Sequence, residues 1–228
     1  MITLYYWPTP NGHKASIALE EMGLAYTVKP VNILRSEQFE PDFLALNPNH
    51  KIPTIVDDDG PGGAPITLFE SGAILEYLAD KTGQFLPPSG AARYEALTWL
   101  YFQVASMGPM LGQCGHFMGY APEDVPYARE RYHRETKRLY GVLEQRLADR
   151  EFLCGEFTVA DMATYPWMMP KIRELHRMDI DEWPNIKRWE AACAARPATA
   201  RGTAVLEDVM KIGNPDEDAF RSLFEREG

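Results

Sequence analysis

The sequence changes character at Leu86-Pro87-Pro88-Ser89-Gly90, a break rich in proline and glycine within a chain of 228 residues. Before this break, short aromatic and β-branched runs alternate with segments whose apolar residues recur at helical spacing. After it, apolar residues recur only at helical spacing. A length of 228 residues corresponds to about one and a half ordinary domains. The break therefore predicts two unequal domains, residues 1–86 and residues 91–228.

The first domain is predicted to be a mixed sheet with helices on its faces, and the second to be all helical. Predicted strands cover 2–7, 26–31, 54–57 and 66–68; predicted helices cover 11–23 and 70–81, with a short helix or turn at 38–46. In the second domain, helices are predicted at 91–107, 126–149, 158–175 and 183–195. Asn214 and Pro215 precede acidic residues and predict a last short helix. The fold class is thus an α/β domain followed by an all-α domain.

Composition and charge exclude several classes of function. The net charge is −10, with 23 Lys and Arg against 33 Asp and Glu, which disfavours binding to nucleic acid. No apolar run reaches the roughly 18 residues that a membrane span requires. The N-terminus lacks the basic start of a signal peptide. The three cysteines, Cys114, Cys154 and Cys193, form no CxxC pair, so a reducing, cytoplasmic location is expected. The five histidines show no metal-ligand spacing, and no metal is expected.

Two short motifs flank predicted strands and admit two interpretations each. Ile52-Pro53 precedes a strand: a trans proline would simply open it, whereas a cis proline would leave the Ile52 backbone free to pair with an extended ligand. Glu70-Ser71 begins a helix, where the pair could act as a plain cap. Alternatively, the helix N-terminus with Ser71 could bind a carboxylate while Glu70 binds an ammonium group, which together suit an α-amino acid.

The loop that joins the first strand to the first helix is the third candidate. Asn11 is a good helix cap, and Thr9 lies just before it. Ligands bind near helix N-termini beyond the strands of open α/β sheets, so both side chains could instead donate hydrogen bonds to an anionic sulfur or oxygen. The loop contains no cysteine, which excludes a glutaredoxin-type mechanism.

These motifs resemble the glutathione transferase superfamily. The resemblance covers essentially residues 1–200 and rests on Ile52-Pro53, on Glu70-Ser71, and on Gly155-Glu156-Phe157-Thr158-Val159-Ala160-Asp161. The last string is similar to a capping box of that family, in which Thr158 caps a helix and Asp161 reaches back. Longer strings resemble the nu class, a bacterial group of disulfide-bond oxidoreductases related to the yeast prion-forming nitrogen regulator; they are Pro8-Thr9-Pro10-Asn11-Gly12-His13-Lys14, Asn49-His50-Lys51-Ile52-Pro53, Phe69-Glu70-Ser71-Gly72-Ala73-Ile74-Leu75 and Gly108-Pro109-Met110-Leu111-Gly112-Gln113.

The resemblance implies a thioredoxin-like first domain that binds glutathione, with a helical domain beside it. It implies that Ile52-Pro53 is cis, that the Ile52 backbone pairs with the cysteinyl part of glutathione, and that Glu70 and Ser71 hold the γ-glutamyl end. Thr9 and Asn11 would lie near the sulfur as the catalytic residues. Gln38 and Lys51 would lie near the glycyl end, and Arg131 would reach over from the helical domain. Two glutathione molecules can occupy one site in this class, and a homodimer is implied.

The expected function is a glutathione-dependent disulfide-bond reductase without a redox cysteine of its own. One or two charge-assisted hydrogen bonds, at roughly 1.5–3 kcal/mol each, are enough to ionise a glutathione thiol near neutral pH. A first alternative is conjugation of glutathione to small electrophiles, for which Tyr5 or Tyr6 could serve as a catalytic tyrosine. A second alternative is a non-catalytic, regulatory glutathione-binding protein. Lys14 is interpreted as a solvated surface residue.

Overall fold

The computed structural model describes residues 1–209 and 217–225 of the chain. Its first part is a four-stranded mixed sheet with helices, as the sequence predicts. In chain order the elements are β1 (Ile2–Tyr6), α1 (Pro10–Glu21), β2 (Tyr26–Pro30), α2 (Pro41–Leu44), β3 (Thr54–Asp57), β4 (Ile66–Phe69) and α3 (Ser71–Thr82). The strand order is β2-β1-β3-β4; β1 and β2 are parallel, and β3 runs antiparallel to both β1 and β4.

This topology brings three chain segments to one edge of the sheet. Because β3 is antiparallel to β1 and β4, the start of β3 lies at the same edge as the ends of β1 and β4. Helix α1 begins soon after β1, and helix α3 begins directly after β4. The N-termini of both helices and the loop before β3 therefore meet at that edge, where α/β sheets bind ligands.

The remainder of the described chain is helical, also as predicted. The helices are α4 (Gly90–Phe102), α5 (Gly108–Gly115), α6 (Pro126–Arg146), α7 (Val159–Thr164), α8 (Pro170–Leu175), α9 (Pro184–Ala194), α10 (Pro197–Ala204) and α11 (Glu217–Phe220). None of the helices in the described parts of the chain combines the length and the apolar character needed to cross a bilayer. The predicted last helix corresponds to α11, whereas Asn214 and Pro215 lie outside the described residues.

Two predicted helices differ from the structure, and prolines and glycines explain why. The predicted helix 158–175 is divided into α7, a 3₁₀ turn at Tyr165–Trp167, and α8, because Pro166 and Pro170 lack the N–H that a continuous helix needs. The predicted helix 91–107 ends as α4 and continues through a π-helical turn, Gln103–Met107, into α5. Helix α5 is not predicted from the sequence because its glycines and proline are poor helix formers.

Helix α1 is enclosed between the sheet and the helical part of the chain. All residues from 12 to 19 are buried, and α1 packs against α3, α7 and α10. Helix α10 is not predicted from the sequence. Its contact with α1 is a close approach of two backbones, since a Cβ on Gly202 would lie 2.6 Å from Ile17 Cα. Leu4, Ile17 and Trp189 belong to one continuous apolar core, so the two parts of the fold are packed against each other along α1.

Candidate functional site

A cavity of about 430 Å³ lies between the sheet edge and the helical part of the chain. Six of the predicted site residues line it: Asn11, Lys51, Ile52, Pro53, Glu70 and Ser71. The opposite wall comes from the segment around α5, with Val104, Pro109, Gly112 and Gln113, and from Trp167. The sheet topology explains this grouping, since residues far apart in sequence share one edge.

The Ile52-Pro53 peptide bond is cis, as the resemblance implies. Pairing between β1 and β3 begins at Thr54, opposite Tyr5, so Ile52 lies before the ladder. The Asn47 amide donates to the Lys51 carbonyl at 2.6 Å and to Thr54 Oγ1 at 2.9 Å, which holds this loop against the strand. The Ile52 backbone thus lies on the cavity wall outside the sheet's own hydrogen-bond ladder.

Glu70 precedes α3 in an unusual backbone conformation. Its φ of 71° lies in a region that costs a non-glycine residue of order 1–3 kcal/mol. The Glu70 side chain forms no cap hydrogen bond to the helix, so the plain cap interpretation does not hold for it. Its carboxylate instead accepts a hydrogen bond from Asn49 Nδ2 at 3.3 Å. Ser71 is the first residue of α3, so its side chain lies on the cavity wall beside the helix N-terminus.

The structure divides the two roles considered for the loop after β1 between Thr9 and Asn11. Thr9, and not Asn11, is the N-cap of α1: its Oγ1 accepts from the Gly12 N–H at 3.2 Å. Thr9 is not part of the cavity wall. Asn11 does line the cavity, and its Oδ1 accepts a hydrogen bond from Trp167 Nε1 at 3.2 Å. Because the oxygen of the amide is engaged by the indole, the Asn11 Nδ2 remains as a donor toward a ligand.

Two predicted ligand residues lie away from the cavity in the single chain. Gln38 is buried, and its Nε2 donates to the Ser222 carbonyl at 3.3 Å, so the C-terminal segment covers it. Arg131 lies on α6 with about half of its side chain exposed, 3.9 Å from Glu135. Neither of these residues lines the cavity of this chain.

Lys14 corrects the sequence interpretation, because it is 2% exposed instead of solvated. Its ammonium donates to Gln103 Oε1 at 2.6 Å and to Ser71 Oγ at 3.3 Å, and Lys14 lines the cavity. Asn11 and Lys14 are three residues apart on α1 and so share a face of the helix. That spacing was the one sequence signal that Lys14 lies on the same side of α1 as the candidate ligand residue Asn11. A lysine in an amphipathic helix, however, ordinarily lies on the solvent face. Trp167 and Gln103 were missed because they reach the site only through tertiary packing.

The tyrosines of β1 do not serve this cavity. Tyr6 is fully buried; its hydroxyl lies 2.8 Å from His13 Nδ1 and donates to the Val205 carbonyl at 3.2 Å. Burial raises the pKa of Tyr6 above its usual value. Tyr5 packs against Phe43, with the Lys29 ammonium over its ring. The geometry therefore gives no support to tyrosine-assisted conjugation.

The three cysteines do not line the cavity either. Cys114 and Cys193 are fully buried, Cys154 is half-buried, and all three are free thiols. Burial raises the pKa of each thiol, so a smaller fraction of each is ionised at neutral pH. No cysteine of the described chain lines the cavity, so any reactive sulfur there must come with a ligand.

Comparison with known proteins identifies relatives along nearly the whole chain. Residues 9–81 match the family model of the glutathione S-transferase N-terminal domain, and residues 110–197 match that of the C-terminal domain. The disulfide-bond oxidoreductase YfcG of Escherichia coli is 48% identical over 96% of this chain and 100% of its own length. YghU, a disulfide-bond oxidoreductase of the same organism, is 38% identical over 90% of this chain and 74% of its own.

Solved structures show the same fold with ligands bound. A glutathione transferase family member from Pseudomonas fluorescens, with two glutathione molecules bound, superimposes with a TM-score of 0.85 at 48% identity and covers 89% of this chain and 92% of its own. A glutathione transferase from Pseudomonas putida, with one glutathione disulfide per subunit, has a TM-score of 0.85 at 43% identity, covering 90% and 91%.

Proposed function

The chain belongs to the glutathione S-transferase family, and from this we propose that it is a glutathione-dependent disulfide-bond reductase that uses glutathione thiols and no cysteine of its own. One observation carries the proposal. The cavity presents the amide donor of Asn11, fixed by Trp167, on a wall that contains no cysteine. Such a site can stabilise the thiolate of bound glutathione.

The γ-glutamyl end of glutathione is assigned to Glu70 and Ser71. The Glu70 carboxylate, which makes no cap bond to α3, suits the ligand's ammonium group. The N–H groups at the start of α3 suit its carboxylate. The cysteinyl backbone pairs with Ile52 next to Pro53, and Lys51 attracts the glycyl carboxylate on an otherwise acidic protein.

In this binding mode the sulfur lies beside Asn11 at the start of α1. A free thiol with a pKa near 8.5 is only a few per cent ionised at pH 7, and a hydrogen bond from Asn11 Nδ2 shifts that balance toward the thiolate. Thr9 lies two residues before Asn11 and outside the cavity wall; its oxygen caps the helix, and its hydroxyl proton can still donate. Gln38 and Arg131 remain predictions for the glycyl end, since neither reaches the cavity in the single chain.

The reaction consists of two thiol–disulfide exchanges. The first glutathione thiolate attacks one sulfur of the substrate disulfide, which breaks the S–S bond, forms a mixed disulfide with glutathione, and releases a thiolate. A second glutathione thiolate attacks the glutathione sulfur of that mixed disulfide and releases the other substrate thiolate. Two glutathione molecules are oxidised to glutathione disulfide, and the substrate takes up two electrons and two protons. Binding of two glutathione molecules in one site is part of the proposal, supported by the relative that holds two.

We further propose nu-class membership, a cytoplasmic location and a homodimer. The disulfide-bond oxidoreductases among the relatives support the class. Three free cysteines suit a reducing compartment. Tyr94 and Tyr101 lie seven residues apart on α4 and are 70% and 52% exposed, which suits a surface that a second copy would cover.

The test of the cysteine-free mechanism is replacement of Cys114, Cys154 and Cys193 by alanine. We expect kcat/KM for glutathione-dependent reduction of a dialkyl disulfide to change by less than about tenfold, or about 1.4 kcal/mol. Circular dichroism controls for folding, since two of the cysteines are in the core. A folded triple variant that has lost turnover, or a protein–glutathione mixed disulfide on the wild-type enzyme that turns over during catalysis, would show that a protein thiol takes part.

A further inference from the structure

Among the described residues, the buried Lys14 ammonium has no carboxylate within ion-pair distance, although the negative charge of Glu70 acts on it from farther away. Its two hydrogen-bond acceptors, Ser71 Oγ and Gln103 Oε1, are neutral, and it forms no ion pair with any described residue. An ammonium has three N–H donors, so one remains after these two contacts. Taking an ammonium out of water without a close charge partner is unfavourable. Lys14 is 2% exposed and lines the cavity, so an anionic ligand bound there would compensate a charge that Glu70 offsets only in part.

The contact with Ser71 fixes the direction in which that side chain donates. Ser71 Oγ accepts a hydrogen bond from Lys14, so the hydroxyl proton of Ser71 points elsewhere. Ser71 is the first residue of α3, a 12-residue helix whose N-terminal N–H groups also favour an anion. The ammonium, the hydroxyl and the helix N-terminus all attract negative charge to the same part of the cavity.

We infer that Lys14 is the charge partner of the γ-glutamyl carboxylate of bound glutathione and acts on it through the hydroxyl of Ser71. Lys14 is thus a positioning residue for the ligand. This inference rests on the proposed function, because the anion that it names belongs to glutathione. Glutathione has two carboxylates, and only the γ-glutamyl one stands next to an ammonium group. Glu70 suits that ammonium and directly precedes Ser71 in the chain. The γ-glutamyl carboxylate, which stands next to the ammonium in the ligand, is therefore the one that lies beside Ser71.

The arrangement couples ligand binding to proton uptake. Burial lowers the pKa of Lys14 to about 7, and the negative charge of Glu70 opposes this only in part. The other cation on the cavity wall is Lys51, and the Gln103–Met107 turn carries no ionisable side chain. A bound carboxylate favours the charged ammonium and raises its pKa. Above pH 7 the free protein has partly lost this proton, so binding takes one up and affinity falls as the pH rises.

The inference predicts that Lys14→Met weakens only ligands that carry the γ-glutamyl carboxylate. The probes are S-methylglutathione, whose thiol cannot titrate, and the analogue in which 4-aminobutyryl replaces γ-glutamyl, which keeps the amine and lacks that carboxylate. By isothermal titration calorimetry, we expect Lys14→Met to raise the Kd of S-methylglutathione by about 10- to 100-fold. The Kd of the analogue should be unchanged. Lys171→Met, which removes an exposed lysine on α8, is the matched control and should change neither Kd.

Two further measurements test the route through Ser71 and the proton. Ser71→Ala should weaken S-methylglutathione, and adding Lys14→Met to it should have a smaller effect than in the wild type, because both act on one carboxylate. Titrations in buffers of different ionisation enthalpy, slightly above pH 7, should show net proton uptake for the wild type and none attributable to this site for Lys14→Met.

The outcomes separate this inference from the proposed function. If the wild type fails to bind S-methylglutathione, the proposed function is wrong. If it binds, but Lys14→Met weakens both probes equally or neither, then Lys14 only joins α1 to Gln103 and the inference is wrong. Should Lys14→Met not fold, the wild type alone suffices. Its preference for S-methylglutathione, expressed as the Kd of the analogue divided by the Kd of S-methylglutathione, should decrease as the pH rises from about 6 to about 9. A constant ratio would overturn the inference.

Discussion

Changing Asn11 to aspartate is expected to lower kcat/KM for disulfide reduction by about 100- to 1000-fold, the effect of removing one well-placed donor to a developing or resident anion. Asn11 Nδ2 is a side-chain amide donor on the cavity wall, and Trp167 Nε1 donates to the oxygen of the same amide. In the aspartate variant the indole can hold one carboxylate oxygen, so the other faces the glutathione sulfur. The negative charge repels the thiolate and raises the pKa of the bound thiol.

The pH dependence distinguishes this mechanism from simple loss of binding. With the thiol pKa raised, the Asn11→Asp variant should recover part of its activity as the pH increases. Its pH–rate profile therefore shifts toward higher pH. Ultraviolet absorbance of the bound thiolate should show the same shift. Asn32→Asp is the control, since Asn32 caps a 3₁₀ turn outside the cavity and aspartate caps as well as asparagine. An Asn11→Asp enzyme with wild-type turnover and pH profile would contradict the assignment.

Trp167→Phe tests the orientation of the Asn11 amide. Without the indole N–H, the amide can rotate and present its oxygen to the sulfur, so we expect about a tenfold loss of kcat/KM with an upward shift of the pH profile. In an Asn11→Ala background the same substitution should cause no further shift of the profile. A loss of activity without any shift would mean that Trp167 only shapes the cavity.

Replacing Asp161 by alanine is expected to lower the free energy of unfolding by about 3–5 kcal/mol, because it leaves several buried donors without an acceptor. Asp161 is fully buried and accepts from the N–H groups of Leu153 and Thr158 at 2.9 and 3.0 Å and from Trp189 Nε1 at 2.8 Å. The capping box predicted from the sequence is therefore confirmed, and it also joins α7 to α9.

Urea unfolding of graded variants can separate the two roles of Asp161. Thr158→Ala removes the hydroxyl that caps α7 and donates to Asp161 Oδ2 at 3.2 Å, but it keeps the bonds of Asp161 to Leu153 and Trp189. This variant should lower the free energy of unfolding by about 1 kcal/mol. Asp149→Ala, on the exposed surface beside Arg150, should leave the unfolding midpoint unchanged. If Asp161→Ala were no more destabilising than Thr158→Ala, the contacts to Leu153 and Trp189 would contribute nothing to stability.

Much of the site was predictable because it is built from chain segments with strong local signals. Glu70-Ser71 follows a strand and starts a helix, and Ile52-Pro53 precedes a strand. Because the sheet combines parallel and antiparallel strands, these segments meet at one edge of it. The resemblance to a known family added the cis isomer of Pro53, which spacing alone left open.

At other positions local and tertiary preferences compete, and the sequence does not show which one prevails. Asn11 and Thr9 are both good caps, and the choice of Thr9 depends on where Pro10 starts the helix. Gln38 is polar and near a loop, but Ser222, 184 residues away, covers it. Such a contact has no local signal in the sequence.

The sequence by itself determined the strands and helices of the first 86 residues, the absence of a cysteine from the loop after β1 and the capping box of α7, because each depends on residues a few positions apart. The tertiary structure alone decided the surroundings of α1. Since that helix is covered by both the sheet and the helical part of the chain, a lysine that looks solvated becomes a buried cation, and Trp167 comes within reach of Asn11. Burial on two sides is a property of packing between distant segments, and hydrophobic periodicity within one helix does not record it.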